Sequence, residues 1–153
     1  MRRLIVAAAV GGALVVAALA SSVTAAPGGR TLTVVEHADT DFVVDNAPTG
    51  VDSVGDTLAW GNPIYDASDD HQVGRDQGSC VRTNPGMSWE CAWTTILADG
   101  SLTVEGPFTD DGEDSVLSIT GGTGAYSNVR GEMTLHWRNE LGTQFDFIFR
   151  ING

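Results

Sequence analysis

The chain has 153 residues, 42% hydrophobic and 18% charged, enough for one domain with a core and too few for a large multidomain enzyme. Its eight basic residues are all arginines, against 20 acidic ones and a formal charge of −12, which argues against a polyanion and leaves no expectation of nucleic-acid binding. Nineteen glycines, with Thr, Val, Trp and Phe recurring between turn residues, point to many short strands.

The N-terminal segment reads as a sorting signal. Arg2 and Arg3 precede an apolar run from Leu4 to Ala20, and Val23-Thr24-Ala25 supplies the small residues that signal peptidase needs, placing cleavage after Ala25. A membrane anchor is the weaker alternative, because the run is rich in Ala and Gly and ends in Ser21-Ser22. The expectation is therefore a signal peptide over residues 1–25 and a secreted domain over 26–153 that has no membrane contact after cleavage. The absence of lysine beside abundant Ala, Gly, Val and Arg fits a GC-rich bacterial genome.

Eight strands follow in chain order: Thr31 to Ala38, Asp56 to Tyr65, His71 to Thr83, Met87 to Ala98, Ser101 to Gly106, Asp114 to Thr120, Gly131 to Asn139, and Thr143 to Ile151. Short connections such as Ala98-Asp99-Gly100 and Glu140-Leu141-Gly142 require antiparallel neighbours. Eight such strands make a closed barrel or a sandwich, with Thr40 to Val54 read as a loop over one barrel mouth.

The only cysteines, Cys80 and Cys91, stand equidistant from the turn dipeptide Pro85-Gly86. In a symmetric hairpin they face each other, and in an oxidising compartment they form a cross-strand disulfide; the alternative is a free Cys80 thiol lining a site. Alternation puts Leu32, Val34 and Glu36 on one face of the first strand and Leu58, Trp60, Asn62 and Ile64 on one face of the second. Trp89, Cys91 and Trp93 share a face, as do Met133, Leu135 and Trp137, and Phe145, Phe147 and Phe149. If these faces point inward, the barrel has an aromatic interior containing one carboxylate and one amide, either holding a small ligand or packed solid.

Four segments in order, W-G-N-P-I-Y from Trp60, V-G-R-D-Q-G-S-C from Val73, L-T-V-E-G-P-F from Leu102 and I-T-G-G-T-G-A-Y from Ile119, resemble plant allene oxide cyclases and dirigent proteins. The resemblance implies an all-β fold, an eight-stranded antiparallel closed barrel of the allene oxide cyclase/dirigent type, commonly a homotrimer, with a hydrophobic cavity and no cofactor. It places the cyclase cavity asparagine at Asn62, the cavity cysteine at Cys80 and a cation-stabilising glutamate at Glu36. Phe108 replaces the cyclase tyrosine after Gly-Pro, whereas Arg130-Gly131 after G-G-T-G looks like the dirigent pattern. Catalysis is thus expected of Glu36, Asn62 and Arg130, and ligand contact of Trp60, Cys80, Trp89, Trp93, Phe108 and Tyr126.

Other motifs carry less. G-G-T-G-A-Y lacks the Lys-Ser/Thr of a phosphate loop, and His37 with Asp39 and Asp41, Asp69-Asp70-His71 and the acidic Asp110–Asp114 loop have no recognised metal-ligand spacing. The reading is a secreted barrel that binds a small apolar or aromatic molecule and guides its cofactor-free, metal-free cyclisation, isomerisation or stereoselective coupling. A non-catalytic carrier needs only the cavity, and a structural or interaction domain needs neither cavity nor acid.

Overall fold

The alternation of apolar and polar residues is realised as strands throughout the computed structural model, which describes residues 29–46 and 49–152. The expected signal peptide lies outside those residues. The ten strands are β1 (Arg30–His37), β2 (Phe42–Val44), β3 (Thr57–Trp60), β4 (Pro63–Asp66), β5 (Gln72–Asn84), β6 (Ser88–Leu97), β7 (Gly100–Thr109), β8 (Ser115–Gly124), β9 (Arg130–Trp137) and β10 (Gln144–Asn152). No helix occurs among the described residues.

Every pairing is antiparallel, and the sheet closes on itself because β5 pairs with β6 as well as with β3 and β4. Around the ring the order is β4, β1, β10, β9, β8, β7, β6 and β5, an eight-stranded barrel in which β3 and β4 lie end to end along β5. The strand expected over Asp56 to Tyr65 is therefore interrupted, at Gly61-Asn62. β2 stands beside β3 as β1 stands beside β4, so the segment read as a loop over Thr40 to Val54 contains a short strand that continues the line of β1. Both interruptions fall at one level of the barrel, and that level carries the polar interior.

The side chains that alternation assigns to one face do point inward. Val34, Ile64, Val104, Leu117, Met133, Phe147 and Phe149 are at most 2% exposed and form the centre of the core. The G-G-T-G-A-Y segment ends β8 and enters the turn to β9, and its Gly124 adopts φ +58°, with no room for a Cβ against the Asp99 carbonyl. Gly78 serves packing instead: it pairs with Trp93, and a Cβ there would lie 2.2 Å from the Trp93 Cβ. The missing side chain lets β6 approach β5 closely at Trp93.

The β5–β6 register runs unbroken from Gly74↔Leu97 to Arg82↔Trp89 and shifts by one residue only beyond it, between Arg82 and Asn84. The hairpin loop is therefore not symmetric, but the irregularity lies past the cysteines. Cys80 pairs with Cys91, and the two are joined as a disulfide. Titration of the denatured, unreduced chain with a thiol reagent is expected to find no free thiol. Replacing both cysteines by alanine is expected to lower unfolding free energy by about 2–3 kcal/mol, the loop-closure entropy of a link of this length.

Candidate functional site

A pocket in the barrel is lined by Glu36, Asp41, Leu58, Trp60, Trp93, Phe108, Leu135, Phe145 and Phe147, with the Cys80–Cys91 disulfide in its wall. Its walls are built by period two. β1 contributes Glu36, β3 contributes Leu58 and Trp60, β6 contributes Cys91 and Trp93, and β10 contributes Phe145 and Phe147. Aromatic rings dominate: Trp93 meets Trp60 edge-on at 5.8 Å and Phe147 at 5.4 Å, while Phe108 and Trp137 both pack on Phe145. The cavity volume is about 40 Å³, room for water-sized species and well below the several hundred cubic ångströms of a typical drug-sized site.

One end of the pocket, at Glu36 and Asp41, is polar, and it is backed by Asn62 and Asp76, which do not themselves line it. Asn62, 1% exposed, sits at the break between β3 and β4 and uses its whole amide. Its Nδ2 donates to Glu36 Oε1 at 2.9 Å and to Asp41 Oδ1 at 2.7 Å, and its Oδ1 accepts from the Thr40 backbone N–H and from Thr40 Oγ1, each at 2.9 Å. Main-chain bonds in both directions between Asn62 and Asp76 hold the break against β5. The expected pair, Glu36 and Asn62, is thus in direct contact inside the barrel.

Asp76 completes the site and was not expected. It is wholly buried, accepts from Trp60 Nε1 at 3.0 Å, and is hydrogen-bonded to the Glu36 carboxyl. The alternation that places Cys80 inward also places Gly78 and Asp76 inward, so the signal was available along β5. Burial pushes Asp76 up to about 6, against the pull of the Trp60 and Glu36 hydrogen bonds. Glu36 is raised well above the usual carboxylate range, first by burial and then by repulsion from Asp76, with the Asn62 bond opposing. Asp41, though exposed at the rim, is raised by partial loss of water, with the Asn62 bond opposing. Burial and the neighbouring Asp76 thus both favour the protonated form of Glu36. Such a proton is also the donor available to Asp76 Oδ1, a buried oxygen that is otherwise unpartnered.

The remaining expected residues are dispersed. Trp89 is buried beside the pocket, with Nε1 bonded to Asp110 Oδ2 and the Arg82 guanidinium 3.8 Å from its ring centroid. Tyr126 is buried under Arg30, 4.7 Å from its centroid, at the β8 to β9 turn and outside the pocket lining. Arg130 is exposed, with Nη1 on the Val129 carbonyl, and does not converge with Glu36 and Asn62. The buried arginine is Arg82, ion-paired with Asp52 and Asp110 and likewise outside the lining. His37 projects outward from β1, stacks on Tyr65 at 4.2 Å and pairs with Asp69 at 2.7 Å. No group of His, Cys, Asp and Glu able to hold a metal ion occurs among the described residues.

The family model described as dirigent-like protein matches residues 22–152. Among solved structures, a pyocyanin demethylase is 25% identical and superposes with a TM-score of 0.67 over 80% of this chain and 100% of its own. A pterocarpan synthase dirigent protein, 21% identical, matches over 81% of this chain and 83% of its own with a TM-score of 0.67. An exo-specific intermolecular Diels-Alderase, 16% identical, matches over 82% of this chain and 100% of its own with a TM-score of 0.57. The last two likenesses are of fold.

A carboxyl held protonated by the fold binds its proton more tightly folded than unfolded. Its contribution to stability is complete below the unfolded pKa and is lost as pH rises through the folded one. In a window that opens near pH 4.5 and extends past the titration of Asp76, near 6, the wild type is expected to lose melting temperature as Asp76 and Glu36 give up the protons that burial holds on them. Glu36→Gln, which keeps the donor to Asp76 without a titrating proton, is expected to flatten that decline in calorimetry across the window. An equal slope in both proteins would show that Glu36 is ionised throughout.

Proposed function

We propose, for a chain that belongs to the dirigent-like protein family, that it confines a small planar or polyene molecule in the barrel lumen and steers its cyclisation or stereoselective coupling by donating a proton from Glu36. The observation that carries this reading is the buried acid itself. A protonated carboxyl, oriented by Asn62 and backed by Asp76, stands in an aromatic wall where water does not compete. Supporting it in kind, the fold's neighbours include a pterocarpan synthase dirigent protein and a Diels-Alderase, both of whose names denote ring-forming chemistry.

The proposed step balances without an oxidant or reductant. Glu36 gives its proton to an electron-rich oxygen of the substrate, such as a quinone methide carbonyl or an epoxide, as a nucleophile within the same folded molecule closes the ring. The proton released by that nucleophile returns to the Glu36–Asp76 pair, so the product is an isomer of the substrate. Asp76 as the conjugate carboxylate stabilises positive charge that develops meanwhile, and the aromatic wall fixes which face is attacked. The 40 Å³ lumen admits such a molecule only as the half-buried Trp60 and Phe108 move aside, so the structure corresponds to the closed site. The chain is proposed to act after export, where its disulfide is stable.

Glu36→Gln preserves the shape and hydrogen bonds of the acid but removes its transferable proton. Incubation with a panel of quinone methides and polyene epoxides, followed by chiral chromatography, is expected to show an enantiomeric excess with the wild type. The variant is expected to turn over at least about tenfold more slowly at similar affinity, which corresponds to about 1.4 kcal/mol in the barrier. A carrier would return every compound with the product distribution found in buffer. Asn62→Ala is unsuited to the same test, because it removes four hydrogen bonds that hold the strands together.

A further inference from the structure

The four indoles of the chain divide by what their N–H groups do. Trp60 donates to Asp76 and Trp89 donates to Asp110. Trp137 and Trp93 each hold a buried Nε1 with no acceptor, and of these Trp137 is only half-buried, whereas Trp93 is 4% exposed and lines the lumen pocket. An indole N–H is a donor only, and leaving it buried and unpaired costs about 1–3 kcal/mol. Phenylalanine would fill the wall between Trp60 and Phe147 without that penalty. Packing alone does not account for an indole here.

We infer that Trp93 is a specificity-determining residue of the lumen, whose indole N–H donates to an acceptor atom of the ligand, so that the site selects flat molecules bearing a carbonyl oxygen or ring nitrogen over hydrocarbons of the same shape. The inference rests on the lumen being the ligand site and adds the chemical class that the site prefers. Geometry supplies the flatness: Trp60 and Phe147 flank Trp93 within 6 Å, and Phe145 packs further along the same wall. Chemistry supplies the polarity, because the Trp93 N–H is a donor only, and a substrate oxygen or ring nitrogen is its complement. A site that rewards an acceptor in this way discriminates strongly against the analogue lacking it, since that analogue leaves the buried donor unpaired. The internal rival is an N–H aimed at the face of Trp60, whose ring lies at 64° to Trp93.

Two bicyclic probes of nearly equal shape separate these readings: 1-indanone, which carries a carbonyl, and indane, which does not. In proton–nitrogen NMR spectra the chain gives four indole N–H signals, and that of Trp93 is assigned by its loss in Trp93→Phe. Titration with 1-indanone is expected to move the Trp93 signal downfield and slow its exchange, and affinity for 1-indanone is expected to exceed that for indane by about tenfold. Trp93→Phe is expected to erase the tenfold preference, a selective effect that loss of packing, which acts on both probes alike, would not produce. If 1-indanone shifts the Trp60 signal but leaves Trp93 unmoved, with equal affinity in both proteins, the N–H is satisfied inside the protein and the inference fails while the lumen reading stands. If neither probe moves any lumen indole signal, the ligand site is not the lumen and both readings fall.

Discussion

A single amide holds the working end of the barrel in register. β1 and β2 form one interrupted line and β4 and β3 another, and at their common break the main chain makes no ladder bonds between the two. Asn62 replaces them: it gives two hydrogens to Glu36 and Asp41 and takes two from Thr40, while its own backbone remains paired with Asp76. Glutamine would carry the same groups on a longer arm, and aspartate would put a further carboxylate among Glu36, Asp41 and Asp76. The geometry of the lumen acid is therefore set by a residue whose first duty is to join strands, and structure and chemistry here share the same four hydrogen bonds.

From that constraint follows the protonation of the site. Two carboxyls, those of Glu36 and Asp41, share one amide, a third, that of the buried Asp76, adjoins Glu36, and among the described residues no arginine lines the pocket. In low dielectric, unpaired charges of one sign are costly, and a proton is the neutralising cation available. Glu36 keeps it because Glu36 is buried against Asp76, while Asp76 is eased toward ionisation by the Trp60 N–H. The disulfide bears on this indirectly: Cys80 and Cys91 lie in the pocket wall and lock the β5–β6 pair from which Asp76 and Trp93 project.

Much of this is written in alternation. The inward rows at Leu32-Val34-Glu36, Leu58-Trp60-Asn62-Ile64 and Phe145-Phe147-Phe149 are legible because period two admits only two faces and the apolar one must face the core. The pairing of Cys80 with Cys91 is legible because a hairpin fixes which residues oppose. β2 is not: three exposed residues, Phe42 to Val44, have no periodic signature, and their pairing depends on where β1 breaks. Asp76 lay open to the same reasoning that found Cys80, yet an aspartate in a strand bounded by glycines reads as an edge or turn residue. Arg130 shows the opposite failure. A motif match placed it beside the dirigent arginine, but its position at the start of β9 sends the guanidinium to the surface, where it bonds to Val129.

The charge state of the lumen also constrains what can react in it. Asp76 ionises near 6 while burial favours a proton on Glu36, and among the described residues no cation lines the pocket to balance the charge. Under the proposed mechanism that arrangement favours a ligand that becomes more positive at the transition state, because the fixed Asp76 carboxylate is oriented before the reaction and costs no reorganisation. It disfavours a ligand that arrives as an anion, which would meet like charge in a medium that screens it poorly. The outer surface acts in the same direction, since a chain with 20 acidic and eight basic residues repels anions before they reach the mouth. The proton on Glu36 and the negative charge beside it are thus not competing designs: the first activates a neutral acceptor oxygen, and the second stabilises the cation that activation creates.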